Sequence, residues 1–483
     1  MKIALVNPPF LFPSRSEFVY SHVLGLRSLS AFLKARKHDV VFIDALMKGF
    51  QLATPFANGF QVGLSAAEIA EAIPLDVDLI GVSAPFSQLA PLIHDLIRVL
   101  RRRFPRTTII LGGVYPSTQP ELAITSDADY IVIGEGELAI GRLADGVASQ
   151  DIQGLYGRDR PLPASQPATA ERPENLDELP FPDCSIPDID RYFSISPRME
   201  RGKTAALVTS RGCPFDCEFC SVHPICGRKW RARSAHHVLE EIAFLVENHG
   251  IRNLEFEDDN FTLNRGRAAQ ILEGICRLNE RGAGLSWKTP NGIRIDTLDS
   301  EFINLMKRAN CAHVTFALEH GDEEMLAIMN KKLDRGKAYD IIAAAIKAGI
   351  PEISIFIIVG YPGETLTRFR RGMAFLRRFR DLGGKVTVVA NMAQPYPGTR
   401  LLERCLREGL ITDPDIANFL VHRTLFSTEH VVGITTSDFD TEEVLRRKRV
   451  AADILTPKWK RVLKNVLPWS LVSFLSRVKH GRV

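Results

Sequence analysis

Three cysteines, Cys213, Cys217 and Cys220, lie in the run Ser210-Arg211-Gly212-Cys213-Pro214-Phe215-Asp216-Cys217-Glu218-Phe219-Cys220, directly after the apolar residues 204–209. Three thiolates spaced CxxxCxxC on one short loop can each hold an iron of a cubane cluster and leave the fourth iron open to another ligand. Such a loop serves chemistry at a metal rather than closed structural ligation. Zinc stays an alternative on spacing alone, since His223 or Cys226 could complete four ligands, although paired CxxC units are missing and Cys226 is not read as a ligand. A disulfide fits less well. The chain begins with the strand-like residues 1–6 and shows no basic-apolar-small signal segment, which places it in a reducing cytoplasm. Cys184, Cys276, Cys311 and Cys405 sit singly among apolar or linker residues and read as small core fillers.

A loop of this kind needs a rigid frame, and the residues from 204 onward supply one. Apolar runs at 204–209, 253–256, 285–288, 313–318, 352–359 and 385–390 alternate with amphipathic helical stretches such as 238–247 and 300–308. Six strand-helix units predict a partial (β/α)6 TIM-type barrel, whose working residues stand at the carboxyl ends of the strands. Those ends carry Glu257-Asp258-Asp259-Asn260, Gly292-Ile293-Arg294, Leu318-Glu319-His320-Gly321, Gly360-Tyr361-Pro362-Gly363-Glu364 and Pro395-Tyr396-Pro397-Gly398-Thr399. The clustered acids need a cation, hydrogen bonds or solvent to offset their repulsion. Arg294 is placed to meet a carboxylate bidentately.

A second α/β unit precedes the barrel. Runs at 3–6, 40–43, 79–82, 108–111 and 130–133 alternate with helical stretches at 24–35, 66–72 and 92–104, the pattern of a doubly wound, Rossmann-like sheet. Its ligand is expected outside the carboxyl ends of the strands, which read Asn7-Pro8-Pro9, Asp44-Ala45, Ser83-Ala84-Pro85, Gly112-Gly113-Val114-Tyr115 and Gly134-Glu135-Gly136-Glu137. No GxGxxG follows the first strand, so a dinucleotide site is not expected. The expected organisation is a ligand-binding domain at 1–150, a linker rich in Pro, Asp and Arg at 151–200, the barrel at 201–420 and a small helical C-terminal region at 421–483.

At 483 residues the chain exceeds a single core, and no apolar run of about 20 residues spans a membrane. The formal charge of +4 conceals an asymmetry: residues 446–483 hold eleven Lys or Arg against the single Asp453, so the rest of the chain is net acidic. Basic residues interleaved with Trp459, Leu463, Leu467 and Trp469 suit an interfacial segment on anionic lipid, or a docked helix with a solvated basic face. Nucleic-acid binding is not expected.

The cluster loop, with Phe215 and Phe219 beside the cysteines, resembles the signature of the radical S-adenosylmethionine (SAM) superfamily, and the strand tips at 319–321, 360–364 and 395–399 extend the likeness. The turns Val6-Asn7-Pro8-Pro9, Gly112-Gly113 and Gly134-Glu135-Gly136-Glu137 resemble the cobalamin-binding domain preceding many radical SAM cores. The subgroup so indicated contains cobalamin-dependent methyltransferases and the anaerobic magnesium-protoporphyrin ester cyclase. The resemblance implies a 4Fe–4S cluster on Cys213, Cys217 and Cys220. It implies SAM contacts at Phe219, Asp258, Asp259, Arg294, Glu319 and Gly360, and cobalamin contacts at Asn7, Pro8, Ser83, Gly112, Gly113, Tyr115, Gly134 and Gly136. No side chain beyond these is assigned a catalytic role.

The sequence departs from the subgroup in three places. An Asp-x-His-x-x-Gly loop is missing after the first strand, Tyr115 stands where many relatives carry histidine, and His320 replaces the usual serine. A histidine ligand to cobalt is therefore not assumed. The activity implied is methyl transfer to an unactivated carbon by reductive cleavage of SAM at the cluster, and the tail, read as an interfacial segment, points to a hydrophobic small molecule as the substrate. An external donor such as flavodoxin or ferredoxin would supply electrons, in the cytoplasm or peripherally on the inner face of the membrane. An oxidative cyclase or rearrangement enzyme of tetrapyrrole or lipid biosynthesis shares every motif quoted. A non-catalytic cobalamin-binding sensor would not need the barrel tips. A methylthiotransferase would carry N-terminal cysteines, and none precedes Cys184.

Overall fold

The computed structural model describes residues 1–12, 22–56, 59–194, 202–411 and 434–455. In the N-terminal part the strands are β1 (Lys2–Asn7), β2 (Phe10–Phe12), β3 (Asp39–Asp44), β4 (Ala53–Phe56), β5 (Gly59–Val62), β6 (Leu79–Ser83), β7 (Thr108–Gly112), β8 (Tyr130–Val132) and β9 (Leu155–Gly157). Six of them form one sheet in the order β3-β1-β6-β7-β8-β9, parallel except for β9. Continuous apolar runs such as Ile3 to Val6 and Ile109 to Leu111 are buried because helices cover both faces. Leu24–Ala35 and Glu137–Ala144 pack on one face, Ala66–Ala72 and Ala90–Arg103 on the other. The strand order reverses between β1 and β6, and the crevice at such a reversal is where an open α/β sheet accepts a ligand.

Two features of this domain were not foreseen. Strands β2, β5 and β4 make a separate antiparallel sheet. Residues 151–200, expected to be a linker, contribute β9 to the edge of the main sheet. Strands of three or four residues are too short to display a period, and long-range pairing alone defines them. The end of the same segment is pinned to the first helix: Arg27 Nε donates to the Asp183 carbonyl (3.0 Å), and Ser30 Oγ and Lys34 Nζ reach Asp183 Oδ2, each at 2.6 Å.

The second part contains β10 (Lys203–Leu207), β11 (Ser210–Arg211), β12 (Arg231–Ala232), β13 (Ile251–Phe256), β14 (Ser286–Ile293), β15 (Cys311–Glu319), β16 (Glu352–Val359) and β17 (Val386–Met392). The parallel order β10-β13-β14-β15-β16-β17 is that of the expected six-stranded partial barrel. Helices begin on side-chain caps, Ser234, Asn264, Asp299 and Thr365 among them, each accepting from a backbone N–H in the first turn. Helix Thr441–Ala452, from the expected C-terminal region, packs on β16 and the edge strand β17. The basic stretch from residue 456 lies outside the described residues. No described helix is long and apolar enough to cross a membrane.

Strands β11 and β12 pair as an antiparallel ribbon that sets Arg211 directly opposite Arg231. Both reach into the N-terminal domain. Arg211 Nη1 donates to Glu135 Oε2 (2.6 Å) and Nη2 to Glu137 Oε1 (2.7 Å). Arg231 makes a second, very short pair with Glu135 and donates to the Pro173 carbonyl at 2.7 Å. Arg172 approaches Glu135 at 3.7 Å. Arg211 holds the Glu137 carboxyl below its ordinary range against the opposing effect of burial. Removing one partner of a buried ion pair leaves an uncompensated charge, a cost of about 3–5 kcal/mol. Glu135→Ala is therefore expected to lower the apparent melting temperature by several degrees in a thermal-denaturation scan, whereas Arg142→Ala, which breaks an exposed pair with Glu171, should change it little.

Candidate functional site

Two cavities share Asp259 as a lining residue. The first, of about 350 Å³, opens at the carboxyl ends of β1, β6, β7 and β8. Ser83, Gly112, Gly113, Gly134 and Gly136 line it, as does the linker through Leu179, Pro180 and Pro182. Gly113 needs to be glycine: its φ is 109°, and a Cβ would stand 2.8 Å from the Ala84 carbonyl oxygen. A Cβ at Gly112 would meet nothing within 4 Å, so that turn leaves open space for a flat ligand to approach backbone. The mostly apolar lining with its glycine turns fits a corrin ring.

Three expected contacts of this cavity lie elsewhere. Asn7 is buried and gives its amide to Asp44 Oδ1 at 2.9 Å. Pro8 is buried beside it and does not border the cavity. Tyr115 packs into the core on the opposite face of the sheet, where its hydroxyl meets His94 Nε2 at 2.9 Å and burial pushes it up to about 12. Asn7 is drawn to the Asp44 carboxylate and Tyr115 stands in the short helix Val114–Thr118 beyond β7, so adjacency to a glycine turn did not place them in the cavity. In their stead the cavity is bordered by Glu135, Glu137, Arg211, Cys226 and Asp259. Glu135 and Glu137 on one side and Arg211 and Arg231 on the other are visible in the sequence, but not their meeting.

The second cavity, about 1360 Å³, lies inside the barrel and is bordered by Cys213, Cys217, Cys220, Phe215, Phe219, Arg294, Glu319 and Lys331. The cluster loop is tied down along its length. Gly212 N donates to Asp259 Oδ2 (2.8 Å), Cys213 N to the Gly227 carbonyl (3.3 Å), and Glu218 N to the Met329 carbonyl (3.0 Å). Glu218 in turn accepts from the Tyr361 hydroxyl at 2.6 Å. All three thiols are free and half-buried. Burial pushes Cys217 up and Cys220 up to about 12, so deprotonating them calls for a cation to answer the thiolates. Two donors already face sulfur: Arg294 Nη1 stands 4.0 Å from Cys217 Sγ, and Asn260 Nδ2 4.0 Å from Cys213 Sγ. N–H groups of this kind tune and orient thiolates around an iron–sulfur cluster.

Among the described residues, no three His, Cys, Asp or Glu side chains converge to hold a single metal ion. His223 Nε2 instead meets the Cys213 carbonyl (3.1 Å), and Cys226 borders the other cavity. The thiols suit a cubane, which keeps each thiolate on its own iron.

The remaining expected SAM contacts divide. Phe219, Asp259, Arg294 and Glu319 border the cavity. Glu319 adopts φ 68° and meets Lys331 Nζ at 3.3 Å. Arg294 does find a bidentate carboxylate, but it is Asp296, at 2.9 and 2.8 Å, with the guanidinium 3.5 Å above the Phe215 ring. Asp258 reaches the cavity wall, yet its carboxylate is occupied by Thr209 Oγ1 (2.7 Å), Thr209 N (3.2 Å) and Ser210 Oγ. Hydrogen bonds thus answer the acidic cluster. Gly360 does not border the cavity: a Cβ there would lie 2.7 Å from Val444, so its smallness admits the C-terminal helix.

Comparison with known proteins agrees with this geometry. The Radical SAM superfamily matches residues 207–392 and the B12 binding domain residues 18–144. The chain is 28% identical to an uncharacterised methyltransferase of Pyrococcus horikoshii over 95% of its own length and 93% of that protein's. It is 26% identical to the cytidylyl-2-hydroxyethylphosphonate methyltransferase of Streptomyces wedmorensis over 86% and 83%. Among solved structures it shares the fold of the radical SAM methyltransferase TsrM from Kitasatospora setae, with cobalamin and a 4Fe–4S cluster bound, at a TM-score of 0.65 and 19% identity over 86% of this chain and 76% of that one. A radical SAM domain implies a 4Fe–4S cluster and SAM, and a B12-binding domain implies cobalamin. The chain therefore belongs to the radical SAM enzymes that carry an N-terminal B12-binding domain, the subgroup of the cobalamin-dependent methyltransferases and the magnesium-protoporphyrin ester cyclase.

Proposed function

We propose that this enzyme methylates an unactivated carbon of a small molecule held in the barrel cavity. When bound, the cluster supplies the electron for SAM cleavage and cobalamin supplies a methyl carrier. The observation that carries the reading is Asp259: it borders both cavities and, through Gly212, holds the cluster loop. The two cavities thus adjoin at Asp259, and holding a methyl carrier in one beside a substrate in the other would be the protein's main contribution when cofactors do the chemistry. Cys213, Cys217 and Cys220 would hold the cluster, Glu319 and Phe219 would orient SAM, and the Ser83, Gly112, Gly113, Gly134 and Gly136 turns would admit the corrin.

The substrate reading changes with the structure. Apolar character was inferred from the C-terminal tail, whose residues 456–483 lie outside the described ones. The barrel cavity is instead bordered by Lys288, Thr315, Ser354 and Asn391 as well as Phe356 and Val389, which suits a substrate with hydrogen-bonding groups. Membrane attachment through 446–483 likewise loses one of its basic residues, because Arg447 is buried on Glu364. Electron supply is assigned to an external flavodoxin- or ferredoxin-like donor.

Three measurements test this reading. Anaerobic reconstitution of Cys217→Ala should yield iron and sulfide well below wild type, and an intact cluster in that variant would rule out the assignment. Gly112→Leu, which projects a side chain into the first cavity, should abolish stoichiometric cobalamin binding while cluster content stays at the wild-type level; undiminished binding would place the corrin elsewhere. Reconstituted enzyme incubated with SAM, reductant and cell extract should release S-adenosylhomocysteine alongside deoxyadenosine. Deoxyadenosine alone would favour cyclisation or rearrangement over methyl transfer.

A further inference from the structure

Immediately after Glu319, the barrel carries a buried polar chain that the proposed chemistry does not use. His320 and Glu364 are fully buried and Arg447 is 1% exposed. His320 Nε2 lies 3.1 Å from Glu364 Oε1, and its Nδ1 accepts from the Asp322 backbone N–H at 3.0 Å. An Nδ1 that accepts carries no proton, so the ring is the Nε2–H tautomer and donates to Glu364. The second oxygen of Glu364 accepts from Gly360 N (2.8 Å) and from Arg447 Nη1 (3.0 Å). Arg447 is itself fully committed: Nη1 also reaches the Glu364 carbonyl (2.6 Å), Nη2 the Asp438 carbonyl (3.1 Å) and Nε the Glu443 carboxylate (2.9 Å). Its guanidinium sits between Phe369 and Phe439, 5.5 and 5.3 Å from the ring centroids.

This chain joins three separate pieces of the fold: the tip of β15, the tip of β16, and helix Thr441–Ala452. The fit around it is close on every side. A Cβ at Gly372 would stand 2.9 Å from His320 Cε1, and one at Gly360 would stand 2.7 Å from Val444 of the helix. Glu319, one residue before His320, is held at φ 68°, a left-handed conformation that a non-glycine residue adopts only when its surroundings impose it. The hydrogen-bonded chain begins at the residue that follows it, and Lys331 holds its carboxylate.

We propose that His320, Glu364 and Arg447 are positioning residues for SAM, through which helix Thr441–Ala452 fixes the backbone conformation that presents Glu319 to the barrel cavity. The inference rests on reading that cavity as the SAM site. It makes the C-terminal helix part of the cofactor site's assembly rather than a cover for the barrel edge. It also gives a physical reason for histidine at 320: an imidazole can accept from a backbone N–H and donate to a carboxylate on opposite sides of one rigid ring, which a serine hydroxyl cannot span.

The test uses full-length enzyme reconstituted with cluster and cobalamin, with SAM affinity measured by anaerobic equilibrium dialysis and by the SAM-induced change in the electron paramagnetic resonance spectrum of the reduced cluster. His320→Ala and Arg447→Met should each weaken SAM binding about tenfold or more, while iron content and cobalamin binding stay at wild-type levels. His320→Gln, which keeps an N–H toward Glu364, should recover most of the loss. Arg447→Met leaves a buried carboxylate without its cation and can fail to fold. The double variant Glu364→Gln/Arg447→Met contains no such charge, and it too should bind SAM weakly. SAM affinity equal to wild type in His320→Ala or in the folded double variant would overturn the relay, as would a parallel loss of cluster, cobalamin and SAM, which marks a merely structural role. A wild type that bound no SAM would overturn the site reading and the relay together.

Discussion

The buried meeting of Glu135 and Glu137 with Arg211, Arg231 and Arg172 is the contact on which the arrangement of both cavities depends. Arg211 stands two residues before Cys213, and Glu135 and Glu137 border the cavity of the N-terminal domain. One set of ion pairs therefore sets the position of the cysteine loop relative to the cavity of the N-terminal domain. Apolar packing across the same boundary would be less directional: a hydrophobic surface can slide by an ångström at little cost, whereas bidentate guanidinium–carboxylate pairs lose both hydrogen bonds and compensation of charge when displaced.

Around the cysteines, the same reasoning applies on a smaller scale. A loop that must present three sulfurs to a cluster cannot rely on regular secondary structure, so its backbone is tied to Asp259, Gly227 and Met329 instead. Burial pushes the Cys217 and Cys220 thiols up, so a metal that answers the thiolates would couple its own binding to the order of the loop. Asp259 serves the loop and both cavity walls with one carboxylate. The carboxylate of Asp258, next to it, is taken up by Thr209 and Ser210 just past the first barrel strand.

The parts of the fold legible in the sequence were those with a local signature. The CxxxCxxC spacing, the buried parallel strands and the glycine turns at 112–113 and 134–136 each follow from covalent proximity, period or backbone sterics within a few residues. The short strands β2, β4, β5 and β9 had no such signature. Arg294 shows the limit of local reading: its demand for a bidentate carboxylate was evident, but whether a ligand or Asp296, two residues on, would meet it depended on rotamers set by Phe215 and Lys332.

The sequence by itself determined the two-domain α/β architecture and the spacing of the three cysteines, because these rest on residue types at fixed short separations, and its resemblance to the radical SAM and cobalamin-binding families indicated the class of cofactors. Only the tertiary structure decided which strand-end side chains turn toward a ligand. Asn7 and Tyr115 turn into the protein, Gly360 faces a helix, and Glu135 and Glu137 find arginines more than seventy residues away. The direction of a side chain at a strand end is set by the pleat and by what packs on each face, and the partner of a buried charge is set by whichever opposite charge the fold delivers to it. Neither is written in the local sequence, since both are properties of elements that meet only once the chain has folded.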